Sequence, residues 1–257
     1  MRKILQSLYK IKLFKRIIPS LLKKFIKIFN SNRVQIEYDN INFILNLSNP
    51  IDREIYLKGS YEKKQLDLVL SLIDKYKMNY FIDVGAHMGF YSMIIAKKDL
   101  FVYAFEPIKE NYNQLLDNRD INNFKNIEIF NFALSDERKN IKMWVPDKDK
   151  TGGYSVYDEN DEEIKNYENE KINIEDGKSE KGDEFIKIKG QEIIVKIDVE
   201  RHELKVLNGI KDLLTNNKII LQIEIFNNRK KKIFDYLKRN DFNFIDVIKN
   251  DHYFKNF

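Results

Sequence analysis

The sequence contains no cysteine, and this absence excludes several kinds of site. A chain of 257 residues without Cys has no disulfide framework, no thiolate zinc or iron–sulfur centre and no Cys nucleophile. Only three His residues are present, so a metal site built from several His ligands is not expected. Gly and Pro are also scarce, with nine and four residues, which argues against collagen-like and linker-rich chains.

The sequence also lacks a long apolar run. The longest uncharged stretches of the first 30 residues, ILQSLY and IIPSLL, have six residues each. A membrane span needs about 20 apolar residues, and a signal peptide needs an apolar core of about 7–15. The predicted localisation is therefore cytoplasmic, which the absence of Cys also suits. Hydrophobic residues make up 43% of the chain, enough for one large globular domain.

Positive charge is concentrated in residues 1–30, which we call the basic leader. The leader contains nine basic residues and no acid, whereas the rest of the chain has 36 basic and 40 acidic residues. A nucleic-acid-binding protein usually spreads its basic surface over the folded domain, so no nucleic-acid partner is predicted. Helical spacing of apolar residues predicts amphipathic helices before and after Pro19, which should break or kink a helix.

Two interpretations of the basic leader stay open. Basic amphipathic helices bind anionic membrane surfaces, where each Lys or Arg contributes about 1 kcal/mol. The protein would then be peripheral on the inner face of the membrane. In the alternative, the helices pack on the core or form a homodimer.

Strand and helix patterns alternate along the rest of the chain. A hairpin turning at Asp39-Asn40 is predicted over 34–47, and an antiparallel pair (243–248 and 252–257) closes the chain. The strands predicted between them are 80–84, 101–107, 126–134, 193–200 and 218–226, with helices separating them. Apolar strands alternating with helices indicate a mostly parallel sheet covered on both faces.

An acidic segment interrupts this pattern. Residues 158–184 hold twelve acidic and four basic residues, and they are predicted to be solvated and outside the core. The predicted organisation is an N-terminal extension with the small hairpin (1–60) and a main domain (61–257). The main domain carries the acidic insertion at about 147–190.

The first strand of the predicted parallel sheet runs into Asp83-Val84-Gly85-Ala86-His87-Met88-Gly89. Two glycines four residues apart permit a tight turn and the close approach of a ligand. The motif is neither the three-glycine dinucleotide fingerprint nor a P-loop, which ends in Gly-Lys-Ser/Thr. The acid before the turn favours a cationic or hydroxylated ligand over a phosphate, and a turn without a ligand is the alternative.

Glu106 ends the second strand of that sheet, 21 residues after Gly85. Ligands of such sheets bind at the carboxyl ends of the strands, and an acid there can accept hydrogen bonds from a ribose diol. A nucleoside that lacks phosphate and carries a positive charge fits both features. S-adenosylmethionine is such a ligand.

Four blocks together resemble the FkbM family of S-adenosylmethionine-dependent methyltransferases. The blocks are FIDVGAHMGFYS, AFEP, NFALSDE and IVKIDVERHELKVLNG, in this order over about residues 78–226. The resemblance implies the class I methyltransferase fold, a Rossmann-like α/β fold with a seven-stranded, mostly parallel sheet and helices on both faces. It also implies O-methylation, often of a sugar or polyketide hydroxyl.

The resemblance further implies individual site residues. The contacts it implies for S-adenosylmethionine are Asp83, Gly85, Ala86, His87, Gly89, Tyr91 and Ser92 around the turn, Glu106 at the ribose, and Ala133 and Ser135 at the adenine end. Asp198 and Glu200 would face the transferred methyl. The sequence departs from the family pattern at Arg201, where the family has Gly, and at His87, where Asn is common. Arg201 would narrow the site or offer a cation to an anionic acceptor.

A hydroxyl acceptor benefits from a general base, worth about 10²–10⁴-fold in rate. Asp198 is the first candidate because it ends the fourth strand, and Glu200, His202 and Glu224 are the others. Each of the other three has an alternative role without chemistry. Glu200 would interact favourably with the dipole of the following helix, His202 would be a solvated or N-terminal helix residue, and Glu224 would be a solvent-facing carboxylate at the sheet edge. Clustered carboxylates can hold a divalent cation, but no ligand spacing here demands one, and no metal is predicted.

The leading functional hypothesis is a cytosolic O-methyltransferase that acts on a sugar hydroxyl of a surface glycan or its precursor. Trp144, Tyr154 and Tyr157 are interpreted either as part of an acceptor lid, made mobile by Gly152-Gly153, or as ordinary loop packing. Two other classes stay open. A nicotinamide-dependent oxidoreductase shares the sheet and the ribose acid, and a non-catalytic membrane or partner adaptor keeps the fold and uses the leader.

Overall fold

Helices and strands alternate along most of the chain. The computed structural model describes residues 2–12, 14–29, 32–145, 155–156, 173–226 and 228–257. The helices are α1 (Arg2–Tyr9), α2 (Phe14–Phe29), α3 (Pro50–Lys58), α4 (Lys63–Tyr76), α5 (Phe90–Ala96), α6 (Lys109–Ile121), α7 (Gly182–Phe185), α8 (Glu203–Gly209), α9 (Lys211–Asn216) and α10 (Lys230–Arg239). The strands are β1 (Arg33–Tyr38), β2 (Ile41–Asn46), β3 (Tyr80–Val84), β4 (Phe101–Phe105), β5 (Ile127–Phe130), β6 (Ala133–Ser135), β7 (Lys139–Val145), β8 (Ser155–Val156), β9 (Asn173–Lys181), β10 (Glu192–Ile197), β11 (Lys218–Glu224), β12 (Asn243–Ile248) and β13 (Asp251–Lys255).

A seven-stranded sheet in the order β12-β13-β11-β10-β3-β4-β5 forms the centre of the fold. β13 runs antiparallel to β11 and β12, and the other neighbouring pairs are parallel. The chain passes from β3 outward to β5 and then returns to the other side of β3 as β10. This switch leaves a crevice at the carboxyl ends of β3 and β10. The α/β fold class and the terminal antiparallel pair are confirmed.

Side chains of the central strands alternate between two apolar layers. Phe81 and Ile194 contribute to the layer that contains apolar residues of the N-terminal hairpin, α4 and α5. Ile82 and Val195 contribute to the layer that contains apolar residues of α8, α9 and α10. All four side chains are fully buried. Because both faces of the sheet are covered, the strands read as nearly continuous apolar runs.

The predicted hairpin is confirmed, and it is fixed to the main body. Asp39 and Asn40 have φ values of 50° and 56°, as a two-residue type I′ turn requires. The side-chain oxygens of Asn118 on α6 and of Asn122, the residue after α6, accept backbone N–H groups of β2 at 2.7 and 2.8 Å. The hairpin therefore extends the fold toward the crevice.

The basic leader contacts the body through α1 and one face of α2. Arg2 and Gln6 donate to the carbonyl oxygen of Tyr56 on α3, at 3.4 and 3.0 Å. Ile18 on α2 is 6% exposed. Of the predicted break or kink at Pro19, the break is wrong, since α2 continues through this residue. No helix in the described part of the chain combines the length and the apolar character needed to cross a membrane.

The third predicted strand (126–134) is divided in two. β5 belongs to the central sheet, whereas β6 pairs with β9 in a second sheet of order β6-β9-β7-β8, which we call the small sheet. Between them, Asn131 Nδ2 donates to the carbonyl oxygens of Glu106 and Pro107, at 2.9 and 3.1 Å. These bonds tie the bend to the end of β4, so the chain leaves the central sheet there.

Part of the predicted acidic insertion belongs to the folded body. β9 and α7 lie within it, and Ser179 and Asp183 are 1% and 8% exposed. The Asp183 carboxylate accepts the backbone N–H groups of Asp212 and Leu213 at the start of α9, at 2.9 and 3.0 Å. The prediction of a solvated segment is wrong here, because this acid caps a helix. Residues 157–172 lie outside the described residues.

The helix predicted after the fourth strand is two helices, α8 and α9. The chain changes direction at Ile210, where φ is −116° and ψ is 27°. Gly209 lies against the small sheet, and a Cβ there would be 1.8 Å from the carbonyl oxygen of Ser135. A residue with a side chain does not fit this contact.

Candidate active site

A cavity of about 590 Å³ opens at the carboxyl ends of the central strands. Its lining includes Gly85 after β3, Glu106 after β4, Asp198 after β10 and Glu224 at the end of β11. The volume lies within the range of small-molecule sites, about 300–1,000 Å³. The position is the one expected for a ligand of a doubly wound sheet.

The turn 85–89 brings the ends of β3, β4 and β10 together. Gly85 has φ 85°, and a Cβ there would lie 2.1 Å from the carbonyl oxygen of Asp198. The backbone N–H groups of Gly85 and Ala86 both donate to the carbonyl oxygen of Phe105 at 3.0 Å. Because these N–H groups are engaged within the protein, the turn is no phosphate cradle.

The Glu106 carboxylate is held at the cavity by backbone donors. Its Oε2 accepts the N–H of His87 at 2.9 Å, and its Oε1 accepts the N–H of Ile108 at 2.8 Å. Burial raises the pKa of Glu106 to about 7, although these hydrogen bonds favour the ionised form. Oε1 also accepts a long hydrogen bond from Asn111 Nδ2 at 3.5 Å, so Oε2 keeps a free lone pair for a ligand hydroxyl and Oε1 a weakly engaged one.

Asp83 lies beneath the turn and is 1% exposed. Its Oδ2 accepts the hydroxyl of Ser92 at 2.7 Å, and its Oδ1 has no hydrogen-bond partner among the described residues. Burial raises the pKa of Asp83, and the opposite charge of Lys196 works against this shift. Asp83 thus anchors the start of α5 from below.

Lys196 and Asp198 form an ion pair at the end of β10. Lys196 Nζ donates to Asp198 Oδ2 at 2.7 Å, and the two side chains are 5% and 34% exposed. Burial alone would lower the pKa of Lys196, but Asp198, Asp83 and Glu62 together raise it well above its ordinary value. A permanent positive charge therefore fixes the orientation of the Asp198 carboxylate, which stays open to the cavity.

Two further carboxyl groups at the cavity titrate near neutral pH. Burial raises the pKa of Glu62 to about 7, and the positive charge of Lys196 opposes this shift. Burial also raises the pKa of Glu224 to about 8, with further contributions from the negative charges of Asp198 and Glu200. Crowding of like charges makes full ionisation of this group of acids unfavourable.

His87 and His202 line the cavity as neutral imidazoles. Burial lowers the pKa of each to about 4. Their Nε2 atoms lie 3.0 Å from Asn49 Nδ2 and from Ser135 Oγ, respectively. His202 immediately precedes α8 and is buried, so its predicted place at a helix start is confirmed and its solvated alternative is wrong.

The cavity brings together part of the predicted site. The predicted residues that line it are Gly85, His87, Glu106, Ala133, Asp198, Glu200, His202 and Glu224. The predicted residues that do not line it are Asp83, Ala86, Gly89, Tyr91, Ser92 and Ser135, which are all buried. Of this second set, Asp83 and Ser92 hydrogen-bond to each other beneath the turn, Ser135 Oγ lies 3.0 Å from His202 Nε2, and the Tyr91 hydroxyl donates to Glu62.

Sequence patterns missed the contribution of the N-terminal segment to the site. Asn46, Asn49 and Glu54 line the cavity, although the sequence predicts residues 1–60 to be an extension of the main domain. Asn49 Oδ1 accepts the N–H of Ile51 at 2.9 Å and caps α3. The Asn-Pro pair at this helix start was a visible signal for the helix, but nothing in it indicates which surface the helix faces.

Arg201 is not among the described residues that line the cavity. Its φ is 70°, a left-handed conformation, and its backbone N–H donates to Glu203 Oε1 at 2.9 Å. The hypothesis that Arg201 narrows the site or meets an anionic acceptor is therefore not supported. Trp144 does not line the cavity either, and Tyr154, Tyr157 and Gly152-Gly153 lie outside the described residues.

The part of the chain that the structure describes contains no cluster of side chains that would coordinate a metal ion. There, no group of three or more His, Asp or Glu side chains is arranged to hold an ion. The Asp198 carboxylate is instead neutralised by an ammonium group, Lys196 Nζ, at 2.7 Å.

Several solved structures are similar to this chain at low sequence identity. M. jannaschii TYW2 in complex with AdoMet is 11% identical, with a TM-score of 0.45 over 88% of this chain and 84% of that one. The human methyltransferase 10 domain containing protein is 10% identical, with a TM-score of 0.49 over 93% and 94%. Monomeric WbdD is 13% identical, with a TM-score of 0.46 over 79% of this chain and 44% of that one.

The sequence itself matches a known family. No curated protein matches the chain at a significant level. The sequence profile of the methyltransferase FkbM domain, however, matches residues 83–248, which include the turn, Glu106, the Lys196–Asp198 pair and Glu224. The chain is thus a methyltransferase and belongs to the FkbM family of S-adenosylmethionine-dependent methyltransferases.

Proposed function

We propose that the protein transfers a methyl group from S-adenosylmethionine to a hydroxyl of a sugar, in a surface glycan or its precursor, on the cytoplasmic side. The observation that carries the proposal is the Asp198 carboxylate, which lies at the cavity beside the Gly85 turn and is oriented by Lys196 at 2.7 Å. A fixed, partly exposed carboxylate at this position suits a general base for a hydroxyl.

The residues present fit the cofactor. Glu106 is held by two backbone N–H groups and presents its carboxylate to the cavity, where it can accept the hydroxyls of a ribose. The turn at Gly85 leaves no side chain between β3 and the cavity, so a ligand can approach the backbone closely. His87 is neutral and adds no positive charge beside a sulfonium.

The chemistry divides between the cofactor and the chain. S-adenosylmethionine, when bound, supplies an activated methyl group on its sulfonium. The chain would hold the acceptor hydroxyl beside the bound cofactor, which lowers the entropic part of the barrier. The cofactor would give up its methyl group and leave as a neutral thioether with the electron pair of the broken bond. The Asp198 carboxylate would accept the proton of the hydroxyl, and the Lys196 charge keeps the carboxylate aimed at the cavity.

Glu106 provides the test of cofactor binding. Glu106→Ala should weaken S-adenosylmethionine binding at least tenfold in calorimetry, because the ribose diol loses its acceptor. Glu106→Gln should weaken it as well, since the amide places a donor against the N–H of either His87 or Ile108. Glu128→Gln, an exposed change on β5, is the control and should bind normally. Normal binding by both Glu106 variants would overturn this ribose assignment.

Asp198 provides the test of the reaction. Asp198→Asn should keep cofactor binding and lower kcat by about 10²–10⁴-fold, the usual contribution of a general base. Mass spectrometry of host glycans with and without the protein should show a methyl-sized shift that the Asp198→Asn variant does not produce. If the protein binds the cofactor and is active but the masses of the host glycans do not change, the acceptor is not a glycan.

We further propose that the basic leader binds an anionic membrane surface. Ile4, Ile11, Ile17 and Leu21 are 65%, 51%, 41% and 59% exposed, so apolar side chains remain at the surface beside the face that packs on the body. Exposed Lys residues lie among them, and the leader has no acid. Apolar side chains interspersed with cations complement a negatively charged lipid surface.

Vesicle binding tests this docking. The full chain should co-sediment with vesicles of phosphatidylglycerol and phosphatidylcholine and not with phosphatidylcholine alone. Replacing Ile17 and Leu21 by Ser should abolish co-sedimentation, whereas Ile174→Ser, an exposed apolar change on β9, should not. If ultracentrifugation shows a dimer that depends on the same residues and the protein does not bind vesicles, the partner of the leader is a second copy of the chain and the membrane proposal is wrong.

A further inference from the structure

Lys196 lies among three acids and forms an ion pair with one of them. Its ammonium group donates to Asp198 Oδ2 at 2.7 Å, and its side chain is 5% exposed. Asp83 is its direct partner on β3, so the two side chains leave the sheet on the same face. The negative charges of Asp83 and Glu62 act on Lys196 together with that of Asp198. Charge alone therefore does not explain why the ammonium group turns to Asp198.

Tyr91, the second residue of α5, contacts this group of charges. Lys196 Nζ lies 5.1 Å from the centroid of the Tyr91 ring, within the range of a cation–π contact. The Tyr91 hydroxyl donates to Glu62 Oε2 at 3.2 Å. Tyr91 is 4% exposed and is not among the described residues that line the cavity. One buried side chain thus contacts both the ammonium group and an acid that competes for it.

Both contacts of Tyr91 favour the pairing of Lys196 with Asp198. The bond to Asp198 uses one of the three N–H groups of the ammonium, and the ring presents its negative face to the same group, in a place shielded from water. Movement of the ammonium group away from the ring would lose this attraction. The hydroxyl gives Glu62 a hydrogen-bond donor of its own, so this acid does not need Lys196 as its donor.

We infer that Tyr91 is a positioning residue for the proposed methyl transfer, because its ring holds the Lys196 ammonium group against Asp198. The inference rests on the proposed function, which takes Asp198 as the general base. It gives Tyr91 a role other than the contact with S-adenosylmethionine that the family resemblance implies. The carboxylate is then oriented by two successive contacts, from α5 to Lys196 and from Lys196 to Asp198.

The position of the ammonium group can be followed by NMR on the full chain labelled with ¹⁵N-lysine. Exposed ammonium groups exchange protons with water too fast to be observed near neutral pH, whereas a buried one gives a signal. Lys196→Met identifies the signal of Lys196 by its loss. Asp198→Asn should displace that ¹⁵N signal, because the ammonium group loses its charged partner, and we call this change the Asp198 displacement. If the natural chain gives no such signal, or Asp198→Asn does not move it, the inference is wrong.

Replacement of the ring tests its role. Tyr91→Leu and Tyr91→Met both remove the ring, so the Asp198 displacement should fall to less than half of that in the natural chain. Tyr91→Phe keeps the ring and should retain the larger part. Phe90→Leu is the matched control, since it removes a buried ring of the same helix that packs on other aromatic rings, and it should also retain the displacement. An unchanged displacement without the Tyr91 ring, or an equal loss in Phe90→Leu, would overturn the inference.

Calorimetry with S-adenosylhomocysteine separates a positioning residue from a cofactor contact. Tyr91→Phe and Tyr91→Leu should bind this product as tightly as Phe90→Leu does. Weaker binding by both variants would make Tyr91 a cofactor contact and contradict the inference. In host cells, the methyl-sized shift of the glycans should persist with Tyr91→Phe and fall at least tenfold with Tyr91→Leu, relative to Phe90→Leu.

The NMR comparison needs neither the cofactor nor the acceptor, so it separates this inference from the proposed function. If the natural chain binds no S-adenosylhomocysteine or leaves the host glycans unchanged, the proposed function fails, and the Asp198 displacement still shows whether Tyr91 positions the ion pair. If the natural chain methylates the glycans and Tyr91→Leu does so equally well, only the role of Tyr91 is wrong.

Discussion

A left-handed backbone conformation, with positive φ, explains which amino acids occupy the turn 85–89 and the segment after β10. Gly85 and Gly89 have φ values of 85° and 84°, His87 has 52° and Arg201 has 70°. The resemblance marks two of these four positions, His87 and Arg201, as departures from the family pattern. Since Gly and Asn adopt this conformation at low cost, the family preference at these two positions has a backbone explanation that needs no substrate contact.

Gly85→Ala tests how strongly the turn depends on glycine. The added Cβ would lie 2.1 Å from the carbonyl oxygen of Asp198, so β3 and β10 would have to separate at the site. Gly190 also has a positive φ, 69°, but nothing lies within 4 Å of its Cβ position. Gly190→Ala should therefore cost only the conformational strain, about 1–2 kcal/mol.

Urea denaturation of the two variants gives the comparison. Gly85→Ala should lose clearly more unfolding free energy than Gly190→Ala, and its cofactor affinity should fall, while that of Gly190→Ala should not. Equal losses would mean that the close contact with Asp198 contributes nothing beyond backbone strain.

The sequence predicts which residues lie at the strand ends, but it does not predict their exposure. Glu106, Asp198 and Glu224 meet at one edge because a parallel sheet aligns the carboxyl ends of its strands, and all three line the cavity. Asp83 and Ser92 belong to the same block, yet they hydrogen-bond to each other beneath the turn. A one-dimensional motif does not distinguish a residue that faces a ligand from one that holds the turn in place.

At the scale of elements, α2 shows why a breaker signal was misleading. Pro19 is the sixth residue of α2, where its missing N–H removes the bond to the carbonyl of Lys15. Ile18 is buried against the body, and Phe14 and Leu22 pack on the same core. Burial of this face offsets the lost hydrogen bond. A helix-propensity rule considers only neighbouring residues, so it does not include this tertiary packing.

Pro19→Ala should therefore stabilise α2. The substitution restores one N–H and removes the ring that clashes with the preceding turn, a gain of up to about 3 kcal/mol in a helix interior. Circular dichroism at 222 nm should show equal or greater helix content, and urea denaturation should show higher stability. Ser20→Ala, at the exposed neighbouring position, is the matched control and should change stability by less than about 1 kcal/mol.

Lower stability of Pro19→Ala would show that the body requires the backbone shape that proline imposes. The other element-level errors have the same origin. The split of strand 126–134 between two sheets and the capping of α9 by Asp183 both depend on contacts between segments far apart in sequence. The short apolar strands β3, β10 and β11 can be predicted without knowledge of such contacts, because both of their faces are buried and their sequences are therefore apolar throughout.

At the scale of the whole molecule, the fold concentrates carboxyl groups in places where they retain protons. Burial raises the pKa of Asp52, Glu62 and Glu106 to about 7 and that of Glu224 to about 8. In the unfolded chain these groups titrate near 3.8 or 4.5. Between those values and pH 8 the folded protein binds more protons than the unfolded chain, so its stability falls as the pH rises.

The three His residues contribute with the opposite sign, but at lower pH. Burial lowers the pKa of His87 and His202 from 6.5 to about 4 and also lowers that of His252. Their contribution to stability therefore increases with pH up to about 6.5 and is constant above it. The window from pH 6.5 to 8.5 therefore isolates the carboxyl groups. In this window the free energy of unfolding of the ligand-free protein should decrease, by at most about 1.4 kcal/mol per pH unit for each group.

Glu224→Gln tests this account, since the neutral amide has no proton to lose. Urea denaturation at pH 6.5 and 8.5 should show a smaller decrease for the variant than for the natural chain, with Glu128→Gln matching the natural chain. The difference should be well below the limit for a buried group, because Glu224 is partly exposed and water screens its charge. A free energy of unfolding that stays constant across this window would mean that the acids of the cavity are already ionised at pH 6.5 in the folded protein.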